Sequence, residues 1–215
     1  AEGSEINGLT LGGVGSGTEI SNVEIFANVD DGIEFFGGSV SVSNLLISYQ
    51  GDDGIDIDQA YSGTVVGFLV LHGGDTDEGL EIDGPEGTAN ATGKFTLING
   101  WLIGDPTQEN DVSSIADLKA RAQGTIENVK VTGYTAGKKI KFAKSVSAGG
   151  ADGSVNAYDN VLSGDLLFID VDFTGYSVDA YSANTTNCSD ATAEQTAMVA
   201  AEIVSGTTAS LPEVS

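Results

Sequence analysis

The chain has 215 residues, 40% of them hydrophobic, with 32 Asp and Glu against 8 Lys and Arg for a formal net charge of -24. So acidic a surface repels nucleic acid phosphates and anionic membranes, which excludes both as partners and favours divalent cations and basic surfaces. The apolar content is too high for a disordered acidic chain, no run approaches the roughly 18 apolar residues of a membrane span, and the single Cys188 excludes an intramolecular disulfide framework.

Residues 6–11 give the first short segment of strand-like alternation, and 19–25 the next. Then comes Asp30-Asp31-Gly32-Ile33-Glu34-Phe35, which returns as Asp52-Asp53-Gly54-Ile55-Asp56-Ile57 and again as Asp77-Glu78-Gly79-Leu80-Glu81-Ile82. Gly32, Gly54 and Gly79 lie 22 and then 25 residues apart. Between these copies stand strand-like runs at 40–47 and 64–71, and further copies follow at 95–103, 125–131 and 166–173. Asn22, Asn44, Asn99 and Asn128 hold matching places just before an apolar run. At such a bend Asn takes a left-handed backbone and can stack its amide from one repeat to the next.

A period of about 22 residues built from short strands matches one coil of a parallel β-helix. The expected fold is therefore all-β: a right-handed, single-stranded parallel β-helix over residues 1–188, with short peripheral helices and a C-terminal helical tail over 189–215. Insertions interrupt the coils at about 84–93, 106–123 and 149–159. Within the second, residues 115–122 read as a short helix, with Ser114 and Asp117 resembling a capping pair. The tail would cover one open end of the solenoid, which otherwise presents unpaired strand edges.

Stacking adjacent coils about 4.8 Å apart superposes the repeated carboxylates. Asp30, Asp52 and Asp77 form one row, and Asp31, Asp53 and Glu78 a second. Glu34, Asp56 and Glu81, pointing outward between inward apolar neighbours, form a third, and Asp58 and Asp83 a fourth. Each like-charge pair at that spacing costs on the order of 1 kcal/mol in water, and more where water is excluded. Hard oxygen ligands in such rows suit Ca²⁺, which takes six to eight oxygens in irregular geometry. The competing reading is an acidic face solvated by water. The loop lacks the spacing of an EF-hand, and His72, the only histidine, reads as a surface residue at a strand end rather than as part of a zinc site.

These residues resemble the pectate-lyase-like superfamily of parallel β-helix proteins. The run from Asn7 through Gly12-Gly13 to Thr18, followed by Asp30-Asp31-Gly32-Ile33-Glu34-Phe35-Phe36-Gly37-Gly38, is similar to a group of bacterial secreted or surface β-helix proteins. The likeness is strong over residues 5–85 and fades afterwards. It implies an extracellular or cell-surface location and further coils ahead of Asn7, but no particular activity. Asn28 to Gly32, Gly51 to Gly54 and His72-Gly73 are also similar in order and spacing to the polygalacturonase family. That likeness implies Asp31, Asp52 and Asp53 as general acid and base at a sugar bond. The Arg-x-Lys pair such enzymes use does not follow His72, and the lysines at 138, 139 and 141 come two coils too late. The expectation is thus a calcium-associated scaffold with a structural or adhesive role. Its partner would be itself, end to end, or a surface glycan or protein met by Phe36, Tyr49 and Tyr61. An enzyme acting on acidic polysaccharides is the alternative.

Overall fold

The computed structural model describes residues 6–85, 92–107, 114–145, 157–183 and 189–190. Through them the chain winds in coils that add strands alternately to two sheets, short in the first and longer and bent in the second as far as Thr132. The first sheet stacks β1 (Leu9–Gly12), β3 (Ile33–Phe36), β5 (Ile55–Asp58), β7 (Leu80–Ile82), β9 (Ala116–Leu118), β11 (Lys139–Ser145) and β13 (Ser177–Ala183), and ends on β14 (Ser189–Asp190). The second stacks β2 (Glu19–Phe26), β4 (Ser41–Ser48), β6 (Thr64–Leu71), β8 (Phe95–Ile103), β10 (Gly124–Thr132) and β12 (Leu166–Ile169). Every pairing is parallel except the last, β13 with β14. This is the parallel β-helix that the repeat predicts.

The interior is built of columns, because a parallel register sets equivalent side chains on top of one another. Ile33, Ile55 and Leu80 make one column, and Phe35, Ile57 and Ile82 another. Facing them from the second sheet are Ile25, Ile47, Val70 and Leu102, also in register. The glycine in each acidic repeat serves this interior. A Cβ at Gly32 would lie 2.5 Å from Ile47, and one at Gly54 2.5 Å from Val70. Neither glycine has a positive φ, so close packing across the coil, rather than turn freedom, requires it.

The bend inside each long strand is left-handed throughout. Asn22, Asn44, Asn99 and Asn128 have φ of 56°, 54°, 60° and 50°, and the register adds Gly67 at 70° and Asp170 at 52°. Asn44 donates its amide to Asn22 Oδ1 at 3.0 Å, and Asn128 donates to Asn99 Oδ1 at 2.6 Å. Gly67 has no amide, so the expected ladder is two pairs with a gap between them.

Residues 115–122 depart from expectation. They form not a helix but β9, whose Ala116 and Leu118 pair with Leu80 and Ile82 and continue the interior columns. Strand partners on both sides, β7 and β11, override a weak local helical preference. Ser114 caps nothing; its hydroxyl donates to Glu78 Oε1 at 2.8 Å. Among the described residues the helix is α1 (Ala157–Ser163), which begins at the end of the expected insertion at 149–159 and runs past it. Its Asn160 donates to the Ala122 carbonyl at 2.9 Å, tying it to the turn after β9. Residues 86–91, 108–113 and 149–156 of the expected insertions, and 191–215 of the expected helical tail, lie outside the described residues.

Two aromatic expectations also change. His72 is fully buried, not a surface residue. Its ring meets Tyr134 edge-on at 4.9 Å, in space left by Gly79, where a Cβ would come 2.7 Å from Nε2. Tyr61, expected on the surface, is in the core: it stacks on Phe35 at 4.2 Å and donates to the Val40 carbonyl at 2.7 Å. Phe36 and Tyr49 are half-buried.

The tightest test of these columns is Gly100, whose missing side chain makes room for Phe68. A Cβ there would stand 2.0 Å from the Phe68 ring. Gly100→Ala should lower stability by about 1–3 kcal/mol in denaturant titration. Adding Phe68→Leu should recover part of that loss. Additive losses in the double variant would contradict the packing described.

Candidate metal centre on the acidic face

The acidic repeats bring most of the expected carboxylates together on one face of the first sheet. Glu34, Asp56 and Glu81 pair across β3, β5 and β7 as the spacing predicts. Asp117 of β9 extends that row, and Lys141 of β11 follows it. The sequence reading missed Asp117 in this role because its segment reads as a helix. Asp58 lies at the end of β5, and Asp83, whose N–H donates to the Ile57 carbonyl at 2.7 Å, holds the matching place after β7. In the first row Asp52 is exposed, Asp30 and Asp77 are half-buried, and the Asp77 N–H reaches the Asp52 carbonyl at 3.0 Å.

The row of Asp31, Asp53 and Glu78 is not a solvated face. Their exposures are 7%, 4% and 4%. Asp31 Oδ1 accepts from the Asp53 N–H at 3.1 Å, and Asp53 Oδ1 accepts from the Glu78 N–H at 2.7 Å. With the Ser114 hydroxyl donating to Glu78, a ladder climbs the solenoid one coil at a time: Asp31 and Asp53 each accept from the backbone of the coil above, and Glu78 from a side chain. These bonds stabilise the charged forms, but burial works against them.

Three groups of side chains converge closely enough to share an ion, with ligand atoms within 4.8 Å of one another. They are Asp30, Asp31 and Asp52; Asp31, Glu34 and Asp56; and Asp53, Glu78 and Glu81. They differ in the cations supplied by the chain. The third group has Lys119 in an ion pair with Glu81, and Lys141 Nζ at 3.8 Å from Glu78. Among the described residues no lysine or arginine pairs with Asp31, Glu34 or Asp56. Asn7 donates to Glu34 Oε2 and to Thr10 Oγ1, which holds that carboxylate in place. Asp56 is 7% exposed, and its Oδ1 is buried with no hydrogen-bond partner. A buried acceptor left unsatisfied costs roughly 1–3 kcal/mol, more when charged.

The protonation equilibria reflect this crowding. Burial, helped by the neighbouring Asp58, Asp31 and Glu34, pushes Asp56 up to about 8. Burial raises Asp31 to about 7 despite the Asp53 N–H. Asp53 is driven upward by burial and then by Glu78, and Glu34 is also raised, again by burial first. Oxygens only, from groups that resist ionising unless a cation joins them, are the donor set that could hold a hard cation. His72, inside the coil, offers no nitrogen to this face. Of the residues that the polygalacturonase likeness implies, Asp31 and Asp53 stand in the buried ladder and Asp52 on the surface beside them.

The pH dependence follows from these shifts. A carboxyl whose folded pKa is raised adds stability that is complete below its unfolded value near 4 and is lost as pH rises through the folded value. Without divalent metal, the melting midpoint should therefore fall as pH is raised from about 5 to 9. His72, held down to about 3 by burial and by Lys138, has the opposite sign, with stability lost as pH falls below its unfolded value of about 6.5. Between these two unfolded values the effects oppose each other, and four raised carboxyls outweigh one histidine, so melting curves in EDTA should peak at or below about pH 5. Asp56→Asn should flatten the alkaline limb, and an unchanged limb in that variant would contradict the assignment.

A sequence model of the family described as the pectate-lyase-like β-helix domain matches residues 1–213. No curated protein and no solved structure matches the chain.

Proposed function

The chain belongs to the pectate-lyase-like β-helix family, and from that premise we propose that it is a calcium-associated scaffold with a structural or adhesive role. The observation that carries this reading is the buried Asp56 Oδ1, unpartnered and within 4.8 Å of ligand atoms from Asp31 and Glu34. Lysines serve the next group along the same face, so the upstream group is where an outside cation is needed. Ca²⁺ fits better than Mg²⁺, because the carboxylates belong to β-helix positions fixed by the coil register and set no octahedron. Asp30, Asp52, Asp58 and Asp83 border this group and enlarge its negative field.

Such a site suits a location outside the cell or at its surface, where extracellular modules bind calcium at 0.1 to 1 millimolar. A rigid solenoid whose coils are clamped by cations can carry attached segments or display a face to a partner. Contact of copies end to end would depend on the same cations, since each chain bears a charge of -24.

Saturating calcium should raise the melting midpoint over that in EDTA by on the order of 5–10 °C, reversibly. Asp56→Asn should melt at the same temperature in both buffers. A wild-type midpoint indifferent to calcium would refute the reading.

A further inference from the structure

The outer face of the second sheet has a character opposite to the acidic one. Along the arm of each long strand after the left-handed bend, the register sets Glu24, Leu46, Leu69, Trp101 and Lys130 in one row on five consecutive coils. A parallel row beside it runs Phe26, Ser48, Leu71, Ile103 and Thr132, with Ser48 buried. Leu46 is 38% exposed and Phe26 67%, while Leu69, Leu71, Trp101 and Ile103 are half-buried. In a chain with 32 acidic residues, these two rows on five coils hold one carboxylate, Glu24 at one end, and one cation, Lys130 at the other.

We propose that this face docks a second copy of the chain, in a two-fold dimer whose axis runs along β6. The charge pattern selects that partner. A two-fold interface presents the same patch from both sides, so it must be complementary to itself. An axis along β6 reverses the row: Leu69 meets its own copy, Leu46 meets Trp101, and Glu24 meets Lys130, twice. The same rotation sets Leu71 on Leu71 in the second row. Lys130 already lies 5.1 Å over the Trp101 ring, which fixes its ammonium at the edge of the apolar strip. Asp172 stands next to Lys130, one coil beyond the patch, and its Oδ1 accepts from the Thr174 N–H at 3.1 Å within its own turn. Four strand spacings separate Glu24 from Lys130, about 19 Å. Two rows about 7 Å apart and about 19 Å long make a patch well below the roughly 800 Å² per partner of a standard interface, so the dimer is reversible rather than obligate.

Sedimentation equilibrium of the full chain over a wide concentration range tests the proposal. The wild type should pass from a mass of 21.9 kDa towards twice that value. Glu24→Lys and Lys130→Glu should each weaken association at least tenfold, and the double exchange should restore it. Glu24→Lys is the more telling single variant. It brings the net charge from -24 to -22 (-24 plus 2), so general repulsion alone would strengthen association. Leu69→Asp should stay monomeric, and unchanged melting of the two charge variants would show that the fold is intact. A wild type that stays monomeric at every concentration, or a double exchange no tighter than its single parents, would overturn the dimer.

Discussion

Everything in this molecule follows from the spacing of its parallel strands. Coils stacked about 4.8 Å apart place each residue directly over its counterpart, so any choice made once is made many times. For apolar side chains the consequence is favourable, and the columns through Ile33, Ile55 and Leu80 fill a continuous interior. For the backbone it means that one left-handed bend is repeated at Asn22, Asn44, Gly67, Asn99, Asn128 and Asp170. For carboxylates the same superposition is costly, since like charges face each other on every coil.

The chain meets that cost in two ways along one face, and one group is left over. Backbone N–H groups absorb part of the charge of Asp31 and Asp53, each bonded to the coil above. Lys119 and Lys141 offset Glu81 and Glu78 further along. Among the described residues no lysine or arginine pairs with Asp31, Glu34 or Asp56, and Asp56 there carries a buried oxygen without a partner. The proposed cation completes a series that the protein itself begins. A surface evolved only for solubility would splay its carboxylates into water, whereas Asp31, Asp53 and Asp56 are all buried.

The repeat was legible because the acidic motif and its glycine recur at nearly constant spacing, which fixes register and hence the rows. β6 and β8 fall where the alternation places them, at Thr64–Leu71 and Phe95–Ile103. Other features were hidden because they depend on what lies across the coil. Residues 116–118 have too few strand-forming side chains to be recognised, and they become a strand through their neighbours β7 and β11. Burial of Tyr61 depends on the Phe35 ring and the Val40 carbonyl, both more than twenty residues away. His72 ends a strand in sequence, but Gly79 opens an interior space for it. The depth of Asp31, Asp53 and Asp56 was equally out of reach, since period-2 alternation tells which way a side chain points but not what covers it.

The most direct measurement of the central claim is a crystal structure of the chain grown in millimolar calcium, with anomalous scattering recorded to identify the metal. The expected result is an ion held by oxygens of Asp31, Glu34 and Asp56 at about 2.3–2.6 Å, with Asp56 Oδ1 among its ligands. A map showing those three carboxyl groups bonded to one another or to water, with no metal between them, would contradict it.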